Sequence, residues 1–579
     1  MDGYILSIDQ GTSGTKAIIF NHDGMVVSHT FQEVTQYYPR EDWVEQDLNE
    51  IWSKTLQAVV EVFKNARILP EDIKAIGIST QRCTTTVWNR NSGEPVGRAI
   101  LWQDRRTQEI CDNLSAEEFK TLVSLTGITP VPNISCSKLQ WLLTEDRTVQ
   151  KALGRGELLF GTIDSWLIWK LTGGQFHLTD RSNAIATGML NAKTLKYDDW
   201  ILQKFSVPRH ILPELRNSCE IYAYTDPAIF FGAQVPISCV IGDQPAAAYG
   251  QGCFSNGMIK NTYGTGSFMI MNTDSSQFPP GEGVVSPILW TINDKATYGL
   301  ESYTDVSGAV LEWLRDGLGL LNDIRDADGL AMQVNDNQGV YFVPAMLGLG
   351  APYFSPQARG TIVGINFATT KSHLVRAAVE SMAYQTKDAL YRIEQASGVK
   401  VKALRVDGGG VTSNFLLQFQ ADILDIPIDR PAVTEASALG AAYLAGLAVG
   451  YWQTEEEIAS YWKLDTRFEP RIASSKRSAL YEGWLEALET AKQWGMREIT
   501  KANNEKFGKK IHSLSPRELE VVQAFVKGQS MREIANQSFT SLKTVEKQRR
   551  DAMRKMGVNT LADLVRVSLE LGIISTKKN

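Results

Sequence analysis

The chemistry available to this sequence gathers where a carboxylate is followed by glycine and hydroxyl residues. Asp9-Gln10-Gly11-Thr12-Ser13-Gly14-Thr15-Lys16 sets an acid at the end of an apolar run, followed by a turn whose backbone amides glycine leaves open to an anion. Such a turn can cradle a phosphate, with Lys16 supplying a cation just beyond it. It is not a Walker A loop, because G-x-x-x-x-G-K-[ST] is absent, nor a dinucleotide fingerprint, because G-x-G-x-x-G is absent. Two more glycine turns follow apolar runs, Tyr263-Gly264-Thr265-Gly266-Ser267 and Asp407-Gly408-Gly409-Gly410. A further strand-end carboxylate, Asp243, closes the run VPISCVIGD and precedes PAAAYGQG. It can accept a proton from a hydroxyl group, or it can cap the helix that follows.

These residues need a frame. YILSID, TKAIIF and MVVSHTF read as three strands, with Asp23-Gly24 as the hairpin turn between the last two. Further strands are expected at Ile73 to Thr80, Val235 to Asp243, Gly257 to Asn272 and Ala403 to Gly409. Helical periodicity lies between them, in LNEIWSKTLQAVVEVFKNA and HLVRAAVESMAYQTKDALYRIEQAS. Alternation of the two kinds predicts an α/β protein.

Asp9-Gln10-Gly11-Thr12, Gln81-Arg82, Gly242-Asp243-Gln244, Asn261 to Gly266 and Val406 to Gly409 stand in the order and approximate spacing of the FGGY carbohydrate kinases. Trp43-Val44-Glu45, Trp102 to Thr107, Gly348 to Tyr353, Gly360 to Glu380 and Ala438 to Gly446 extend the match. Over about its first 495 residues the chain resembles that family, and within it looks most like the glycerol kinases. The resemblance implies two actin/hexokinase-like (ribonuclease H-like) α/β domains around a cleft, at 1–249 and 250–495, using ATP and Mg²⁺. By position it implies that Asp243 is the catalytic base, that Asp9 and Asp243 are associated with the metal, and that Thr12, Ser13, Gly14, Lys16, Thr265, Gly308, Gly409 and Ser413 contact the nucleotide. Lys16 stands where an arginine is usual and Ser413 where an asparagine is usual.

The acceptor positions implied by the resemblance are Arg82, Cys83, Asn133, Asp243 and Gln244. Two depart from the glycerol kinase pattern, since Cys83 replaces a glutamate and Asn133 a tyrosine. A thiol is a weak donor and a weak acceptor, whereas a carboxylate takes two hydroxyl hydrogen bonds. The expected acceptor is therefore glycerol or another small polyol or sugar. The alternative is a kinase fold serving as ligand sensor for the chain's C-terminal part.

That part differs in charge. From Gly508 to Asn579 there are 14 Lys plus Arg against 7 Asp plus Glu, a charge of +7, so the overall −6 leaves −13 on the preceding residues. A basic module on an acidic body predicts a polyanionic partner. A polar linker is expected at 496–512. Ser515, Pro516 and Glu518 give a capped helix start, Ser530 and Glu533 a second, and Thr540 to Met556 a third helix closed by Gly557. A fourth is expected from Leu561 to Leu571. Residues 513–575 resemble the LuxR/GerE helix-turn-helix, which implies double-stranded DNA as partner and Lys543, Thr544, Lys547, Gln548, Arg549 and Arg550 at the interface.

Hydrophobic residues make up 43% and charged residues 21%, the profile of a packed protein and not of a disordered chain. The six cysteines lack C-x-x-C pairs and metal-ligand spacing, so reduced thiols are expected. The N-terminus has no apolar signal core and no run is long enough to span a bilayer, which predicts a cytoplasmic protein without membrane contact. A helix-turn-helix that reads a half-site allows a homodimer or higher oligomer.

Overall fold

The computed structural model describes residues 3–279, 281, 283–353, 355–512, 514–558, 560 and 563–564. They form two compact units, one drawn from 1–356 with 360–487, the other from 357–359 with 488–579.

The larger unit holds two sheets built on one plan. In the first, Tyr4–Gln10 (β1), Gly14–Phe20 (β2) and Val26–Glu33 (β3) form the expected antiparallel meander. Gly24, at φ 70°, makes the turn between the last two. Strands Ile73–Thr80 (β4), Cys219–Tyr224 (β5) and Pro236–Gly242 (β6) complete it in the order β5-β6-β4-β1-β2-β3, with β1, β4 and β6 parallel. The second sheet contains Ile259–Tyr263 (β7), Ser267–Asp274 (β8), Ile288–Ile292 (β9), Lys295–Thr304 (β10), Leu404–Asp407 (β11), Ile428–Pro431 (β12) and Leu464–Phe468 (β13). Its order is β9-β10-β8-β7-β11-β12-β13, with β7, β11 and β12 parallel. Each sheet thus has a central hairpin, β1–β2 or β7–β8, flanked on one side by parallel strands. Strand ends and glycine turns of the same kind therefore recur in both sheets.

Alternation along the first sheet sends neighbouring residues into different cores. Leu6, Ile8, Ala17 and Ile19 join the core that includes helix Leu48–Ala66 (α1), which Asp47 caps by accepting from the Asn49 and Glu50 amides. Ile5, Ile18, Phe20 and Ala75 join another, with helices Asp243–Gly250 (α2) and Ala436–Ala448 (α4). Between these two in sequence, Lys371–Ser397 (α3) forms a largely buried helix beside the second sheet. Helix α4 lies late in the chain yet packs on the early sheet. A Cβ on Gly77 would sit 2.3 Å from the Ala441 carbonyl oxygen, and one on Gly250 would sit 2.1 Å from that of Ala436. Only glycine lets these backbones approach so closely.

The residues expected as a linker, 496–512, are the end of a continuous helix, Ser474–His512 (α5). Composition suggested a linker there, but the stretch contains no proline, so nothing in it forbids helical backbone. In the second unit a Cβ on Gly495 would lie 2.1 Å from the Gln357 carbonyl oxygen, which fixes glycine at that point of α5. The same unit contains Pro516–Val526 (α6), Met531–Gln537 (α7) and Leu542–Met556 (α8), with Ser515, Ser530 and Ser541 as their N-caps. Gly557 ends α8 at φ 68°. The expected fourth helix falls largely outside the described residues. No helix among those described is long and apolar enough to cross a membrane.

Candidate active site

A cavity of about 530 Å³ opens where strand ends of the two sheets face each other. Its walls bring together Asp9 and the turn Gly11–Gly14 from one hairpin, Gly264–Gly266 from the other, and Asp243 at the start of α2. The Gly11 amide donates to the Gly14 carbonyl and the Gly264 amide to the Gly266 carbonyl, both at 2.9 Å, so each turn is closed by a backbone bond, the second one residue tighter than the first. The Thr12 hydroxyl accepts from Trp102 Nε1 at 2.9 Å, which pins one turn to the wall. Thr265 is held from behind, because its carbonyl accepts from the Ser307 amide at 2.8 Å.

The charged groups here are buried and paired. Arg82 donates from Nη1 to Glu301 Oε2 at 2.8 Å and from Nη2 to Oε1 at 2.5 Å, a two-pronged pair linking β10 to the end of β4. Its Nε also lies 3.4 Å from Asp243 Oδ1. Burial holds Asp243 above the ordinary carboxylate value, although Arg82, the Gln244 amide and Lys260 pull it down. The Gln244 amide donates to Asp243 Oδ1 at 2.7 Å. Asp243 is the first residue of α2 and Gly242 occupies the cap position, so the helix-capping role is not the one Asp243 plays. Lys260 is fully buried and donates to Gln244 Oε1 at 2.5 Å and Thr262 Oγ1 at 2.7 Å. Burial holds it below the usual lysine value.

Asp9 and Lys16 are cross-strand partners on β1 and β2. Burial pushes Asp9 up to about 6, against the pull of Lys16 and a hydrogen bond from Ser79, and Asp243 adds to the rise. Lys16 pairs with Glu435 at 2.5 Å, immediately before α4. Burial alone would lower this lysine, but Glu435 and Asp9 outweigh it and raise it. Across the cavity Asp407 accepts from Thr262 Oγ1 at 2.6 Å and Gln251 Nε2 at 3.0 Å.

Arg82, Cys83, Asn133, Asp243 and Gln244 line the cavity together, as do Thr12, Ser13, Gly14, Lys16 and Thr265. Cys83 is in left-handed backbone conformation at φ 65°, its thiol donates to the Ala186 carbonyl at 3.2 Å, and burial pushes it up to about 11, so it stays neutral. Gly308, Gly409 and Ser413 are not among the lining residues. Gly308 donates its amide to Gly264 O at 2.9 Å behind the turn, while Ser413 donates to Asp328 and caps helix Asn414–Leu424. Glu301, Lys260, Glu435 and Tyr303 are not marked by the sequence. None sits in a turn or a recognisable spacing, and each acquires its place only through partners distant in sequence.

Two sequence patterns cover most of this unit. Residues 4–250 match the FGGY family of carbohydrate kinases, N-terminal domain, and residues 259–449 its C-terminal domain. The chain belongs to the FGGY family of carbohydrate kinases. It is 48% identical over 492 residues to a glycerol kinase of Geobacillus kaustophilus, covering 85% of this chain and 99% of that one. It is 49% identical over 495 residues to glycerol kinase 2 of Thermotoga maritima, covering 85% and 100%. A solved glycerol kinase of Plasmodium falciparum, crystallised with ADP, superposes with a TM-score of 0.77 at 30% identity, covering 85% of this chain and 98% of that one. The actin/hexokinase-like architecture expected for an FGGY kinase is the one observed.

Residues 512–568 of this FGGY kinase match the bacterial regulatory proteins of the luxR family. In α8, Lys543, Thr544, Lys547 and Arg550 are exposed, while Val545, Ala552 and Met556 are buried. Gln548 and Arg549 are half-buried, and the Arg549 guanidinium lies 5.5 Å from the centre of the Phe525 ring. Lys555 pairs with Glu518 at 2.7 Å and ties α8 to α6.

Proposed function

We propose that this kinase transfers the terminal phosphoryl group of ATP to a hydroxyl of a small neutral polyol or sugar, glycerol or a related acceptor. The observation that carries the reading is Asp243, a carboxylate held above its ordinary pKa by burial and facing the same cavity as both glycine turns. A raised pKa makes it a better proton acceptor, and Arg82, paired with Glu301, stabilises its charged form without neutralising it. The amides of the turns at Gly11 and Gly264, with Thr12, Thr265 and Lys16, supply donors for the phosphates. Asp9 and Asp243 fit Mg²⁺ brought in with the nucleotide. Among the described residues no cluster of three or more His, Cys, Asp or Glu side chains would cage an ion, so phosphate oxygens are needed to complete its shell. Bound there, the cation would neutralise phosphate charge.

The functional segments in this reading are 1–249, 250–495, a connecting 496–512 and a module at 513–575. The exposed cations of α8 support double-stranded DNA as the module's partner, with Lys543, Thr544, Lys547, Gln548 and Arg550 facing it and Arg549 shared between packing and contact. Two copies of the chain would then read two half-sites.

An ADP-coupled assay with glycerol and other small polyols tests the kinase reading. Asp243→Asn is expected to lower kcat by about a thousandfold or more while nucleotide affinity changes little, since the proton acceptor goes and the phosphate donors stay. Turnover within tenfold of the original would remove Asp243 from the role of base. Ligand binding without turnover in the unaltered protein would favour the sensor alternative.

A further inference from the structure

Beside the main cavity lies a second, of about 250 Å³, and the two share Trp102, Gln103, Val131, Asn133 and Tyr303 in their walls. Two of these five carry buried polar atoms with no partner among the described residues. Asn133 Oδ1 and Gln103 Oε1 are buried carbonyl oxygens without hydrogen-bond partners among the described residues. Tyr303 closes the same wall, and burial, with the charges of Asp305 and Glu301, raises its phenol so that it stays neutral. The Tyr303 ring is held in place by stacking on Phe268, with ring centres 5.9 Å apart and planes 20° from parallel.

A native protein seldom leaves buried polar atoms unsatisfied, and two together at one wall point to a ligand. Both are acceptors, so the ligand must donate, as hydroxyl groups do. The buried cation at this end is engaged, since Lys138 donates to the Asn133 backbone carbonyl at 2.9 Å, while the exposed Arg105 lies 3.9 Å from Asp305. Arg82, nearer to Asp243, has both Nη atoms committed to Glu301. Hydroxyls beyond the reacting one must therefore look further along the wall for partners.

We infer that Tyr303, Asn133 and Gln103 form an acceptor subsite that selects a linear polyol of four or five carbons over a three-carbon one. The inference rests on the phosphoryl-transfer reading and refines its substrate. The reacting hydroxyl lies at Asp243, the carbon chain passes Cys83, whose neutral thiol imposes no charge, and the distal hydroxyls donate to Asn133 Oδ1 and Gln103 Oε1. Tyr303 closes the far side, with its ring along the chain and its hydroxyl free to pair with the last oxygen.

Initial rates of the full-length protein with ATP are measured for glycerol, erythritol and ribitol, with product confirmed by phosphorus NMR. Erythritol or ribitol is expected to exceed glycerol in kcat/KM by about tenfold or more, the scale of a few satisfied hydroxyl hydrogen bonds. Tyr303→Phe and Asn133→Leu, both close in shape to the originals, are each expected to cut that ratio by about tenfold, mainly through the KM of the longer acceptor. A simple loss of folded protein lowers all rates together and leaves the ratio unmoved. Glycerol preferred by the unaltered enzyme, or a ratio unchanged in both variants, overturns the subsite while leaving the kinase reading intact. No phosphorylated product from any of the three polyols overturns both.

Discussion

Charge is used in opposite ways in the kinase cavity and in the C-terminal module. In the cavity it is engaged by protein partners: Arg82 with Glu301 in a buried pair, Lys16 with Glu435 in a half-exposed one, and the buried Lys260 among the Gln244 and Thr262 oxygens. On α8 the cations Lys543, Lys547 and Arg550 stand in solvent, and of these only Arg550 has an acidic neighbour, Glu546 at 3.8 Å. A buried ion acts over short distances in a poorly screened setting, so it can tune a proton acceptor or orient a substrate. An exposed one acts at range on a polyanion and weakens as salt rises. The two regions thus carry functions that respond to different variables.

The largest effect expected from breaking this contrast is at Arg82. Replacing it with leucine leaves the Glu301 carboxylate, only 3% exposed, without its partner. Loss of one member of a buried pair costs about 3–5 kcal/mol, which chemical denaturation of the kinase unit would read. Removing Glu301 as well should recover much of that loss, whereas equal destabilisation by both variants would mean that the pair is not the source. Next in size is the salt response. If three or four phosphates are neutralised per module, the log of DNA affinity should fall against the log of salt with a slope of about −3 to −4. Lys547→Ala should make that slope shallower by about 1. Over the same salt range kcat/KM for the polyol should change by less than about threefold, because the Arg82–Glu301 pair beside Asp243 is buried. Parallel salt curves for the two activities would dissolve the distinction. The smallest effect concerns the neutral end of the cavity: Cys83→Glu with Asn133→Tyr should raise the efficiency for glycerol over that for a longer polyol by about tenfold. An unchanged ratio would show that these positions do not choose the acceptor.

What could be read from the sequence divides along similar lines. That Asp9, Thr12, Asp243 and Thr265 would come together at one cavity was legible, because strand-end carboxylates and glycine-hydroxyl turns stand in short register, and such a register survives in one dimension. The three helix starts of the module were legible too, since Ser515 with Glu518 and Ser530 with Glu533 are local capping pairs. Arg82 and Glu301 are 219 residues apart, and nothing near Glu301 marks it as a partner. Gln103 and Asn133 matter for what they lack, and an unmet hydrogen bond has no sequence signature. The helix through 496–512 is not legible, because polar composition suits a linker as well as a solvated helix, although nothing in that stretch stops a helix.

The position of α4 has a consequence for how the chain is made. Synthesis proceeds from the N-terminus, so every strand of the first sheet has left the ribosome long before Ala436–Ala448 appears. Until then Ile5, Ile18, Phe20, Ala75 and Ile241 have no α4 to close over them, and Gly77 has no Ala441 against it. The early sheet therefore emerges with one apolar face waiting, a sticky intermediate that must either stay loosely folded or be shielded by chaperones. Its completion falls to one of the last helices of the kinase, so the nascent protein acquires its stability late and nearly all at once.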